Sequence, residues 1–140
     1  MGYRVLEHTA DTGLVVEAAS REELFAEALA GFTDTITVLA QVGAGEERSL
    51  AVEGASLEDL LVDWLGELLY RFETEGLLFR RAQVAIEGEP PDLRLRARAW
   101  GEAYDPARHP LKVLVKAVTY HALEVRLTDG VWRARVLLDI

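Results

Sequence analysis

Two aspartates at opposite ends of the chain carry the first suggestion of chemistry. Asp11 lies in the polar stretch EHTADT near the N-terminus, and Asp139 precedes the last residue, Ile140, in the closing run LLDI. If that run is a buried strand, the Asp139 side chain and the Ile140 main-chain carboxylate lie close together and need a cationic partner. Oxygen-only ligands select a hard cation, with calcium tolerating irregular carboxylate geometry and magnesium requiring an octahedron. A plainer reading is that Asp11 opens an Asp-Thr-Gly turn by bonding its own backbone, with His8 capping a strand end. On the fragment alone the turn is the reading to prefer.

Lys112 and Lys116 are the sole lysines, and both fall in RHPLKVLVKAVTYH together with His109 and His121. A lysine within an apolar strand run, as Lys116 is, requires an anionic partner or access to water. It could equally protect a sheet edge, with His121 a hydrogen-bonded residue of a half-buried strand. Asp34 interrupts an apolar helical face near Phe32 and Ile36, where an aspartate is ordinarily solvated. Arg94, Arg96 and Arg98 alternate along one strand, a pattern that suits a solvated sheet face better than a nucleic-acid stripe. There is no cysteine, so thiolate catalysis and zinc-thiolate sites are excluded. Glycine-rich phosphate loops, nucleophile elbows and His-x-x-x-His pairs are also missing.

The elements that position these residues follow from periodicity. Strands are expected over 3–6 and 13–18, with a loop between them. Ser20 and Glu23 form a capping-box pattern ahead of a helix from 21 to the high thirties, its apolar face made by Leu24, Phe25, Ala28, Leu29, Phe32 and Ile36. Ser56 caps a second helix, with Leu57, Leu60, Leu61, Trp64, Leu65, Leu68, Leu69 and Phe72 on its stripe and Gly76 at its end. After a short strand in SLAVEG, the C-terminal half changes to period-two alternation, with Asp129 and Gly130 as a hairpin turn. The expected fold is α+β: one domain over residues 1–140, a mixed or antiparallel sheet, and two amphipathic helices packed on one face.

With 24 acidic and 15 basic residues the net charge is −9. That is the wrong sign for gripping nucleic acid through its phosphates, so strong direct binding of RNA or DNA is not expected. Nor does any stretch have the apolar length of a membrane span or signal peptide, which points to a cytoplasmic protein with no membrane partner.

At the level of whole motifs the chain resembles the archease family from end to end. The matching pieces are HTADTG, LLVDWLGELLYRFETEGLLF, GEAYDPARHPLKVLVKAVTYH and the closing VLLDI, in order and at family spacing. The resemblance implies an α+β sandwich and a non-enzymatic role: assisting the GTP-dependent tRNA-splicing RNA ligase that joins a 3′-phosphate or 2′,3′-cyclic phosphate end to a 5′-hydroxyl end. Archeases promote guanylylation of that ligase, allow multiple turnover and relax its nucleotide preference. It further implies a divalent cation, calcium first and magnesium or manganese otherwise, held by Asp11, Asp139 and the Ile140 carboxylate. Lys116 is the functional residue it places beside that site, with His8 and His121 as neighbours. The competing expectations are a stand-alone metal-dependent phosphoester hydrolase and an acidic chaperone or assembly factor.

Overall fold

The computed structural model describes residues 2–7 and 11–140, apart from the side chains of Glu7 and Asp11. Helix α1 (Arg21–Ile36) begins where the Ser20 hydroxyl accepts from the Glu23 N–H at 3.1 Å. Helix α2 (Leu57–Glu75) begins the same way, with the Ser56 hydroxyl accepting from the Asp59 N–H at 3.1 Å. Each cap satisfies a donor that the first helical turn leaves free. Gly76 closes α2 with φ 67°, in the left-handed region that glycine adopts without strain.

Among the described residues seven strands form two antiparallel sheets. The first has the order β1 (Gly2–Glu7), β2 (Asp11–Ala18), β7 (Val131–Asp139), β6 (Ala117–Thr128). The second has the order β3 (Glu46–Gly54), β5 (Leu93–Ala103), β4 (Leu77–Glu87). Asp129 and Gly130 turn β6 into β7 with φ values of 51° and 77°, the doubly positive geometry of a tight hairpin.

The sheet differs from the single one expected, and the reason lies in the helices. α1 packs on β1 and β2 from one side and on β4 from the other, while α2 packs on β6 and on β3, β4 and β5. The helices thus form a middle layer between two sheets, covering one face of each. An apolar stripe as wide as that of α2 suits burial from two sides, and Leu60, Leu61, Trp64 and Leu65 are fully buried. Each sheet keeps its other face toward water. On β5, Leu93, Leu95, Ala97 and Ala99 are buried while Arg94, Arg96 and Arg98 are exposed.

One glycine is fixed by close packing. Gly101 on β5 is buried opposite Phe79, where the β4 register shifts between Phe79 and Arg81. A side chain there would run into the Leu78 carbonyl oxygen. Gly101→Ala is therefore expected to lose about 1–3 kcal/mol or more by overpacking. Gly66 on α2 has open space around it, and Gly66→Ala should instead gain about 0.5–1 kcal/mol of helix stability. Urea denaturation of both variants checks the pair; equal effects would contradict the local packing described.

Candidate functional site

β2 begins at Asp11 and β7 ends at Asp139, and the register sets these two residues directly opposite each other. On the far side of β7, Asp139 faces Ala117 of β6. The Lys116 N–H donates to the Asp139 carbonyl at 2.7 Å. Three distant pieces of the chain thereby meet at one end of the first sheet. Thr12 and Leu138 turn inward and are buried, so the alternation leaves Asp139 exposed. Ile140 is half-buried against the edge of the core. The buried Thr12 hydroxyl donates to the Leu6 carbonyl at 2.9 Å and ties the base of the β1–β2 hairpin. His8, the sequence candidate in that hairpin's loop, lies outside the described residues.

Lys116 is exposed just before β6, which is an edge strand. Its main chain is bonded to that of Asp139 and its strand lies at the sheet edge, so both readings given to it stay open. His121 is exposed within the stretch of β6 whose pairing is interrupted between Thr119 and Glu124. It lies roughly 13 Å along the strand from the residue facing Asp139, at about 3.3 Å per residue. The fold does not bring it to the aspartate pair.

The segment from β5 to β6, which delivers Lys116, is anchored along its length. The Tyr104 N–H donates to Gly76 and the Lys112 N–H to Ile36, each at 2.7 Å. The Lys112 ammonium donates to the Asp34 carbonyl at 2.7 Å and sits 3.5 Å from its carboxylate. Asp34 also accepts from the Tyr3 hydroxyl at 2.8 Å and from the Leu39 N–H at 2.9 Å. Burial pushes the Asp34 carboxyl up, but the Leu39 N–H, the Tyr3 hydroxyl and Lys112 outweigh it and hold the group below its ordinary range. Burial first, and then the bond and charge of Asp34, push the Tyr3 hydroxyl up to about 12. Asp34 is accordingly a fastening between α1, β1 and the Lys112 segment.

A second fastening was not foreseen from sequence. His109 is fully buried, and its Nδ1 accepts from the Asp105 N–H at 2.8 Å. Its Nε2, which therefore carries the proton in the neutral ring, donates to Glu102 at 2.7 Å. Glu102 also accepts from the Gly43 N–H at 2.8 Å and from Arg108. The Arg108 hydrogen bond, the Gly43 N–H and the His109 ring hold the Glu102 carboxyl at about 2.

The arginines of β5 behave as members of a solvated face. Arg98 lies 2.5 Å from Glu47, and Arg94 lies 3.9 Å from Glu53. Arg81 and Arg98 approach the Trp100 ring at 4.2 and 5.2 Å.

Asp139 exposes a carboxylate, and oxygen is the donor that a hard cation takes. Among the described residues no group of three His, Cys, Asp or Glu side chains is gathered to hold a metal; the Asp11 side chain is outside that set.

Residues 3–140 match the sequence profile described as "Archease protein family (MTH1598/TM1083)". The chain belongs to the archease family. It is 41% identical to protein archease of Methanopyrus kandleri over 100% of both chains. It is 42% identical to protein archease of Pyrococcus abyssi, over 96% of this chain and 95% of that one. The solution structure of Methanobacterium thermoautotrophicum protein 1598 superposes with a TM-score of 0.86 at 34% identity, covering 99% of each chain. An archease from Thermotoga maritima, described as a possible chaperone, shares the fold at a TM-score of 0.59 and 22% identity, over 98% of this chain and 96% of that one.

The Glu102 fastening of this archease-family chain has a definite pH signature. Its folded value of about 2 lies below the ordinary carboxyl value. The stability it contributes is thus complete above that ordinary value, about 4.3, and is lost as pH falls from there through the folded value. Glu102→Gln should lose about 1–2 kcal/mol at neutral pH, and its deficit against the parent should shrink between roughly pH 4.5 and 2. Urea denaturation across that range tests this; a deficit that does not vary with pH would remove the charge from the account.

Proposed function

We propose that this chain is a protein activator of the GTP-dependent tRNA-splicing RNA ligase, promoting ligase guanylylation and multiple turnover, and is not itself an enzyme. The observation that supports the reading best is the opposed pair of positions Asp11 and Asp139, with the Lys116 main chain bonded to Asp139. Family membership gives the partner class. The net charge of −9 suits contact with a basic protein surface.

In this reading Asp11, Asp139 and the Ile140 carboxylate hold a divalent cation, calcium first. The cation would offset the repulsion between the carboxylates and supply positive charge at a protein–protein contact. Lys116, delivered by the anchored segment, adds an ammonium at the same end of the sheet. Asp139 stands on the exposed side of its strand, accessible to a partner's active site. A hydrolase acting alone would need a base near the carboxylates; of the two candidates, His121 stands well along β6 from them and His8 lies outside the described residues.

Asp11→Ala and Asp139→Asn should each abolish the rise in melting temperature that calcium gives the parent. Each should also lower multiple-turnover ligation at least about tenfold, with the fold retained. Lys116→Met should keep calcium binding and lose stimulation. Thermal melts with and without calcium, paired with ligation time courses at excess RNA, read both effects. An unchanged calcium response in both aspartate variants would remove the cation, and unchanged turnover in all three would remove this end of the sheet from the activity.

A further inference from the structure

The outer face of the first sheet has a second concentration of charge, of opposite sign, that the activator reading does not use. Arg4, Arg126, Arg133 and Arg135 line a hollow of about 310 Å³ together with Leu6, Val15, Ala134 and Glu124. The four arginines come from three strands and are all exposed, while Val15 is 5% exposed and forms part of an apolar floor. Register explains the convergence. Arg135 faces Val15 on one side and Glu124 on the other, Arg4 faces Val15 from β1, and Arg133 stands between Arg126 of β6 and Glu17 of β2.

Arg126 lies 2.9 Å from Glu124, but among the described residues Arg4, Arg133 and Arg135 have no carboxylate within ion-pair distance. The Arg126–Arg133 pair sets like charges across adjacent strands, which costs stability. A protein of net charge −9 thus gathers four of its 15 basic residues around one small hollow. Several guanidinium forks around a confined volume match a compact dianion with three acceptor oxygens. An acidic peptide, whose single charges are spread along an extended chain, would satisfy them less well.

We propose that this hollow is an anion site for a phosphate group, borne by a ligand of about nucleotide size or by the backbone of a short RNA. The guanidinium groups bind the phosphate oxygens, and the Leu6 and Val15 surface accepts the adjoining sugar. Binding relieves the Arg126–Arg133 repulsion, so the ligand stabilises the fold as it binds. The proposal is independent of the cation reading, since Asp139 stands four residues beyond Arg135 on β7.

Pyrophosphate, ADP, a pentanucleotide RNA and a hexaglutamate peptide, each titrated without divalent metal, provide the test by calorimetry and thermal melts. Pyrophosphate or ADP should bind and raise the melting temperature, hexaglutamate should bind at least tenfold more weakly, and Arg133→Gln/Arg135→Gln should weaken phosphate binding at least tenfold. Arg133→Gln alone should reduce the ligand-induced rise in melting temperature. A pentanucleotide binding more than tenfold tighter than ADP would identify the source as an RNA strand; equal binding would identify a free nucleotide. Either places phosphate in the hollow. Hexaglutamate binding as tightly as ADP, equal loss in an Arg96→Gln/Arg98→Gln control on the other sheet, or no phosphate binding at all would overturn the proposal.

Discussion

The contact on which the architecture depends joins the two helices. Trp64 of α2 is fully buried, and its indole N–H donates to the Phe25 carbonyl of α1 at 2.9 Å. A buried indole N–H without an acceptor would cost about 1–3 kcal/mol, so this bond both allows the largest core side chain to be buried and fixes how the helices cross. Thr33 extends the connection to the second sheet through its hydroxyl, which donates to the Phe79 carbonyl at 2.7 Å. Both sheets rest on this layer. Its fixed thickness sets where β2 and β7 stand, and therefore where Asp11 and Asp139 meet.

The parts of this arrangement legible in the sequence are those decided by local chemistry. Ser20, Ser56 and Gly76 announce helix ends because a hydroxyl or a left-handed backbone satisfies groups within the same turn. Asp129-Gly130 announces its hairpin for the same reason. The division into two sheets is decided elsewhere. The alternation of β5 is identical whether its neighbours are β3 and β4 or β2 and β7, since only non-local pairing selects among them. The width of the α2 stripe was the available signal that a helix was to be covered twice.

The candidate site divides along the same line. Asp11 opens β2 and Asp139 closes β7, the two central strands of the first sheet, and pairing those strands in register makes the positions neighbours; the residues alone favoured a plain turn at Asp11, and the resemblance to a known family joined the two. Glu102 could not be singled out, because on an alternating strand it has the appearance of any solvated glutamate. Its partners Arg108 and His109 come from the loop that follows its own strand and Gly43 from a distant loop, and only the finished fold assembles them. The surroundings of His121 were not legible either, since regular strand spacing gives no warning of the positive φ of 55° at Ala122 or of the interrupted pairing around it.

One strand shows why the surface chemistry and the core cannot vary independently. Along β7, Ala134, Val136 and Leu138 are buried, while Arg133, Arg135 and Asp139 are exposed. A slip of one residue against β2 would exchange the two sets, placing guanidinium and carboxylate groups against the helices and alanine, valine and leucine in water. Burying even one of those charges without a partner costs far more than a surface ion pair contributes. The register that sets the Asp11 position opposite Asp139, and Arg133 opposite Arg126, is consequently held by the core. That explains how a sheet face can carry a like-charge pair such as Arg126 and Arg133, which an independently forming hairpin could avoid by shifting. In the two proposals made above, an ion of opposite sign would relieve repulsion that the fold is forced to retain, so the register that stabilises the core is also the feature on which both proposals depend.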